Sequence, residues 1–197
     1  MGAHGLVGLD GPSRTVVPDL VEHVIGYRQW RIHDGELCSV HTWDHWTAEP
    51  MTATCTAGAD HDEPSPVHGC SCGFYARYTP VPRTASAATP DLVGGAVALW
   101  GRLELHAHGM RGQHVRLLAL ALPILPGPKR RRVREVAASL GVPAVRARAL
   151  QAEALRHGRP VPRAMRPPDL EPNKRKAPGT PDPARLHATT DRGRRRR

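Results

Sequence analysis

Apolar and polar positions alternate most clearly between residues 95 and 106. Val97, Leu99, Gly101, Leu103 and Leu105 share one face of an extended chain, with Ala98, Trp100, Arg102, Glu104 and His106 on the other. That period of two predicts a central strand with Trp100 largely buried, and Gly101 in its middle predicts the bulge or bend that curves a strand into a small barrel. His108-Gly109-Met110-Arg111-Gly112 turns the chain into a partner strand, Val115 to Leu122, which Pro123 to Pro128 end. Nearer the amino terminus Ile25, Tyr27 and Gln29 oppose Trp30 and Ile32 before Asp34-Gly35, a dipeptide that tolerates positive φ and predicts a hairpin returning over Glu36 to Thr42. Trp43, Trp46 and Met51 to Thr56 predict a further short strand that delivers Cys55.

The period becomes helical at Lys129. Val133, Val136, Ala137 and Leu140 form an apolar stripe that stops at Gly141, and Pro143 opens a second predicted helix, Ala144 to His157, closed by Gly158. Structure is expected to begin near Leu20, and Thr79 to Pro90, with three prolines, reads as a loop. The pattern therefore predicts an α+β fold: a small curved antiparallel β-sheet or partly open barrel, a carboxy-terminal two-helix segment and disordered ends. The divisions expected are a disordered terminus over 1–19, a β-rich domain over 20–127, a helical segment packed on the sheet over 128–162, and a basic disordered tail over 163–197.

Composition changes this picture in two ways. Twenty prolines, 19 glycines and a single Phe in 197 residues leave limited material for a core. The net charge of +10 is also segregated: residues 128–197 hold 20 Lys and Arg against 6 Asp and Glu, whereas residues 1–127 are net negative. Lys129 to Arg134, Lys174-Arg175-Lys176 and Arg194 to Arg197 are clusters that attract phosphate through counterion release, so non-specific nucleic-acid binding by the tail is one expectation and a merely solvating tail the other. Tyr75, Tyr78 and Trp100 can stack on bases but are expected in the core. No apolar run reaches about eighteen residues and no leader pattern opens the chain, so no membrane partner and a cytoplasmic location with reduced thiols are expected.

Reduced thiols give the central stretch its chemistry. Cys70-Ser71-Cys72-Gly73 lies fifteen residues after Cys55, with His61 and His68 between. Zinc takes four nitrogen or sulfur donors in a tetrahedron, so Cys55, Cys70 and Cys72 with one histidine form a candidate zinc site that is structural and not catalytic. Gly73 allows a sharp turn after the second cysteine. In an extended chain His68, Cys70 and Cys72 stand about 6.8 Å apart per step, too far to share an ion without a bend; His61, in a separate loop, escapes that constraint. Both histidines remain candidates at this stage, as do two other states of the cysteines, free core thiols and a disulfide. Cys38 lies in a different stretch and reads as a small buried hydrophobe.

Two other function classes compete with a zinc-stapled interaction module. Ala137-x₃-Gly141-Val142 followed by Leu150 partly matches a helix-turn-helix over residues 133–157, with Arg146 and Arg148 placed to face a groove. A cysteine-dependent enzyme needs only a thiol and a base, which Cys70 or Cys72 beside His68 provide, but no pattern supplies an orienting acid or a phosphate-binding loop.

Gly26-Tyr27-Arg28-x-Trp30, Trp46-x₈-Cys55, Cys70-x-Cys72-Gly73-Phe74-Tyr75-Ala76, Gly95-x-Val97-x-Leu99-Trp100-Gly101-Arg102, Gly109-x-Arg111, Gly141-Val142-Pro143 and Glu153-Ala154-x₃-Gly158-x-Pro160-Val161-Pro162 together resemble a family of small uncharacterised actinobacterial proteins. The resemblance covers about residues 24 to 162. It implies that Cys55, Cys70 and Cys72 belong together and that Cys38 stands apart; it implies no activity.

Overall fold

The computed structural model describes residues 15–55, 61–80 and 91–168. Residues 1–14 of the expected disordered terminus, 81–90 of the expected loop and 169–197 of the expected basic tail lie outside them, whereas residues 163–168 of that tail are described and include a 3₁₀ turn over Arg163–Met165.

Three long antiparallel strands carry the fold: β1 (Thr15–His33), β5 (Leu92–His106) and β6 (Gly109–Leu122), with β5 paired to both others. β1 starts five residues before Leu20, where the sequence suggested structure begins. β2 (Glu36–Ser39) folds back on β1 through Asp34 and Gly35, whose φ values of 47° and 83° are those of a two-residue hairpin turn. β3 (Met51–Thr52) and β4 (Phe74–Arg77) both pair with β6, and β4 reaches β1 at Tyr27 and Arg77. The circuit from β1 through β5, β6 and β4 back to β1 bends the sheet into a partial ring, as the curved-sheet expectation required. Gly101 is one cause: it sits at φ 74° where the register with β6 slips, and an added Cβ would lie 2.6 Å from Gln113 Oε1.

Both faces of the sheet are covered. On one, Trp30, Val97, Leu99, Leu103, Val115 and Leu117 pack against Val133, Val136 and Ala137 of α1 (Pro128–Ser139). On the other, Ile25, Tyr27, Ala96, Ala98 and Ala119 pack against Leu150 and Ala154 of α2 (Leu150–Ala154); the small residues let that short helix lie close. The class is thus α+β, mostly antiparallel, with two short helices.

The second predicted helix is corrected. α1 ends where Gly141 adopts φ 63°, with Val142 N–H bonded to Ala137 O at 2.9 Å and Gly141 N–H to Ala138 O at 3.1 Å, the paired bonds of a Schellman turn. The turn aims the chain along the unpaired edge of β6, and Leu120 N–H bonds Pro143 O at 3.0 Å. Ala144–Arg146 consequently forms β7, parallel to β6, and helix resumes only as a 3₁₀ turn over Ala147–Ala149 and the five residues of α2. Satisfying an open ladder outweighed helical propensity there. The helix-turn-helix alternative loses its second helix, because Arg146 ends a strand and Arg148 lies in the 3₁₀ turn. The chain then forms β8 (Arg159–Pro160), parallel to β1.

Trp100 is also corrected. It is half-buried rather than interior, held between His23 (centroids 4.9 Å apart, tilted) and His114 (5.5 Å, stacked) on the outer face of β5 and β6. Alternation placed it correctly opposite Leu99, which is fully buried, but could not say which layer covers its own side.

Candidate metal centre

The candidate centre sits beside the ring, where β3 runs out and β4 begins. Ala53 N–H bonds Gln113 O at 2.8 Å and prolongs the pairing of β3 with β6 towards Cys55. Gly69 and Gly73, at φ 81° and 107°, bracket Cys70-Ser71-Cys72, which supplies the bend that an extended chain lacks. Phe74 then enters β4 and meets Trp46 edge-on, 5.7 Å between centroids, while Trp46 meets the fully buried Trp30 at 5.0 Å. An aromatic chain thereby ties the cysteine loop to the core.

One donor atom from each of Cys55, His61, Cys70 and Cys72 lies within 4.8 Å of the other three. Cys55 Sγ and Cys70 Sγ are 3.5 Å apart, and Cys72 Sγ is 3.6 Å from His61 Nε2. Tetrahedral zinc with ordinary bond lengths sets sulfurs about 3.8 Å apart and sulfur from nitrogen about 3.5 Å apart. The set could hold a metal ion of that kind. None of the four cysteines is in a disulfide, and the Cys55 to Cys70 separation exceeds a disulfide bond of about 2.05 Å. His68 is exposed and outside the cluster, so the structure does not pair it with a cysteine thiol; the histidine within reach of Cys72 is His61. Cys38 lies in the core at 1% exposure, and burial, with Glu36 and Asp34 nearby, pushes its thiol up.

His61 is oriented from behind. Its Nδ1 lies 3.0 Å from Glu63 O, so an Nδ1–H donating to that carbonyl leaves the Nε2 lone pair facing the sulfurs. In the metal-free protein, hydrogen bonding to Cys70, with smaller contributions from Glu63 O, Cys72 and Cys55 and against partial desolvation, raises the His61 imidazolium to about 9. Val67 N–H donates to Cys72 Sγ at 3.4 Å and helps to fix the position of that sulfur.

The groups that hold the loop were not read from the sequence. Arg111 on β6 donates through Nη1 to Cys70 O and, at 2.8 Å, to Cys72 O, and through Nη2 to the Glu104 carboxylate; both side chains of that ion pair are 2% exposed. Tyr75 Oη donates to Ser71 O at 2.9 Å, and the Arg111 guanidinium lies over the Tyr75 ring. Every carbonyl of Cys70-Ser71-Cys72 is therefore bonded. Arg102 on β5 does the same for the histidine loop, binding Glu63 Oε2 at 2.7 Å and Pro64 O at 3.2 Å. A signal did exist: Glu104 and Arg111, opposite charges equidistant from the Ala107-His108 turn, are direct register partners.

No protein-family model, no curated protein and no solved structure matches this chain. What the cluster does is read from its geometry.

Proposed function

We propose that Cys55, His61, Cys70 and Cys72 hold a structural zinc ion, and that the protein is a non-catalytic interaction module stapled by it. The observation that carries this reading is the convergence of four donor atoms within 4.8 Å, with separations close to those of a zinc tetrahedron. Three sulfurs favour zinc over harder ions such as magnesium or calcium. Four protein donors leave no position for a bound water, so no activated hydroxide forms. The hydrogen bonds of Arg111 and Glu63 are what such a centre needs around it, since they hold the ligands in place before the metal arrives. The basic tail adds non-specific affinity for nucleic acid, a proposal resting on the charge segregation alone.

Metal analysis of protein purified under reducing conditions tests the centre. One zinc per chain is expected, and cobalt in its place gives the absorption of a tetrahedral site with three thiolates. His61→Ala and each of Cys55→Ser, Cys70→Ser and Cys72→Ser lose the metal, whereas His68→Ala and Cys38→Ser keep it. A folded protein without stoichiometric metal, or loss of metal in His68→Ala but not in His61→Ala, sinks the assignment.

A further inference from the structure

Two large apolar side chains stand in solvent at the connection between β6 and α1: Ile124 is 88% exposed and Leu125 76%. Neither packs against either core cluster. They lie within Pro123-Ile124-Leu125-Pro126-Gly127-Pro128, where three prolines fix φ and stiffen the connection that presents them. α1 follows at once with Lys129, Arg130, Arg131, Arg132 and Arg134. The last three of these are exposed; Glu135 pairs with Arg131 at 3.7 Å in solvent, and Asp91 lies near Lys129.

The same helix start is electrostatically unfavourable for the protein alone. Its first turn contains no acid, no side chain caps it, and cations sit at the positive end of the helix dipole. An exposed apolar tip joined to a net positive helix start fits a partner that is apolar inside and anionic outside.

We infer that this corner docks reversibly on an anionic lipid surface. Ile124 and Leu125 enter the boundary between headgroups and acyl chains, while the arginines of α1 meet the lipid phosphates and carboxylates. Other occupants fit less well. A nucleic-acid backbone matches the arginines but leaves the apolar pair without a use. Two protruding side chains fall far short of the roughly 800 Å² per partner of a stable protein interface. The chain's own residues 169–197 hold 9 Lys and Arg against 4 Asp and Glu and are repelled from a basic helix. No helix among the described residues is long and apolar enough to cross a membrane, and docking needs none. The expectation of no membrane partner rested on the lack of a span and did not address surface binding.

Co-sedimentation of the full chain with phosphatidylcholine vesicles, with and without phosphatidylserine, tests this. Binding is expected only with phosphatidylserine, and it weakens as salt is raised. Ile124→Asp with Leu125→Asp, and separately Arg131→Gln with Arg132→Gln and Arg134→Gln, each lower vesicle affinity about tenfold or more. All five positions are exposed, and circular dichroism verifies that both variants fold. A Leu125→Trp variant gains fluorescence that brominated phosphatidylserine vesicles quench, a result that attraction of the tail alone does not give. The inference is overturned if the aspartate variant binds anionic vesicles like the parent, or if the added fluorescence is not quenched. It is also overturned if the aspartate variant loses affinity for duplex DNA as strongly as for vesicles, which assigns the surface to nucleic acid.

Discussion

The strand core and the cysteine loop are built from opposite materials. Along β5 the side chains of Val93, Val97, Leu99, Leu103 and Leu105 are at most 1% exposed, and no directed bond is needed to keep them there. Between His61 and Gly73 only Ser65, Pro66 and Cys72 are buried, and the backbone is positioned by Arg111, Tyr75, Arg102 and the four metal-ligand candidates. Burial of apolar surface is non-directional and tolerates small rearrangements. Hydrogen bonds and metal bonds are directional, and a missing partner leaves the others without a function. The core should therefore survive loss of the loop, while the loop should not survive loss of any of its fastenings.

The largest effect is expected where the two regions meet, at Trp30. It has no exposed surface and supports Trp46, which supports Phe74 beside the cysteines. Trp30→Ala should cost about 3 to 5 kcal/mol in denaturant unfolding, a large share of the stability of an ordinary domain. A cost below about 1 kcal/mol would mean that the aromatic chain is not the link between core and loop.

Arg111→Met comes next, at about 3 kcal/mol, because it leaves the Glu104 carboxylate buried without its guanidinium and releases the carbonyls of Cys70 and Cys72. Adding Glu104→Gln should restore much of that stability but not the zinc affinity, which falls about 10- to 100-fold in both variants. Recovery of zinc affinity in the double variant would show that Arg111 acts on the fold and not on the loop.

Chelation should then separate the regions directly. Hydrogen exchange is expected to accelerate over residues 61–76 and remain slow along β5 and β6, where apolar burial is densest. Simultaneous loss of protection in both would make the metal the foundation of the whole domain.

Trp100→Ala is expected to cost only about 1 to 2 kcal/mol, since the ring is half-buried and its aromatic neighbours are two histidines, one tilted and one stacked. A cost equal to that of Trp30→Ala would make the outer face part of the core.

The smallest effect concerns pH, and its sign differs between the two forms of the loop. In metal-free protein His61 is raised from 6.5 to about 9, so its contribution to stability is complete below pH 6.5 and is lost as pH rises through about 9. Zinc needs a neutral Nε2, so its affinity instead rises over the same window as the competing proton leaves. Melting curves of metal-free and zinc-loaded protein from pH 6 to 9 should slope in opposite directions, and His61→Ala should flatten the metal-free slope. A slope unchanged in that variant assigns it to another group.

What the sequence determined by itself is whatever depends on neighbours along the chain. The Asp34-Gly35 turn, the alternation through β5, the bulge at Gly101 and the helix stop at Gly141 are set by local backbone preferences and by periods of two or 3.6 residues. The composition of the candidate metal cluster was legible in part, because the cysteines are close in sequence, but the choice between His61 and His68 stayed open until the loop's path placed one Nε2 against Cys72 Sγ and the other ring in solvent. Three further outcomes belong to the tertiary structure alone. The edge of β6 turned Ala144–Arg146 into a strand, the outer face of β5 left Trp100 half-covered, and Arg111 reached back about forty residues to the carbonyls of Cys70 and Cys72. Each depends on which distant segment arrives beside a residue, and no local period or propensity encodes that, because the energy that decides it exists only once the segments are in contact.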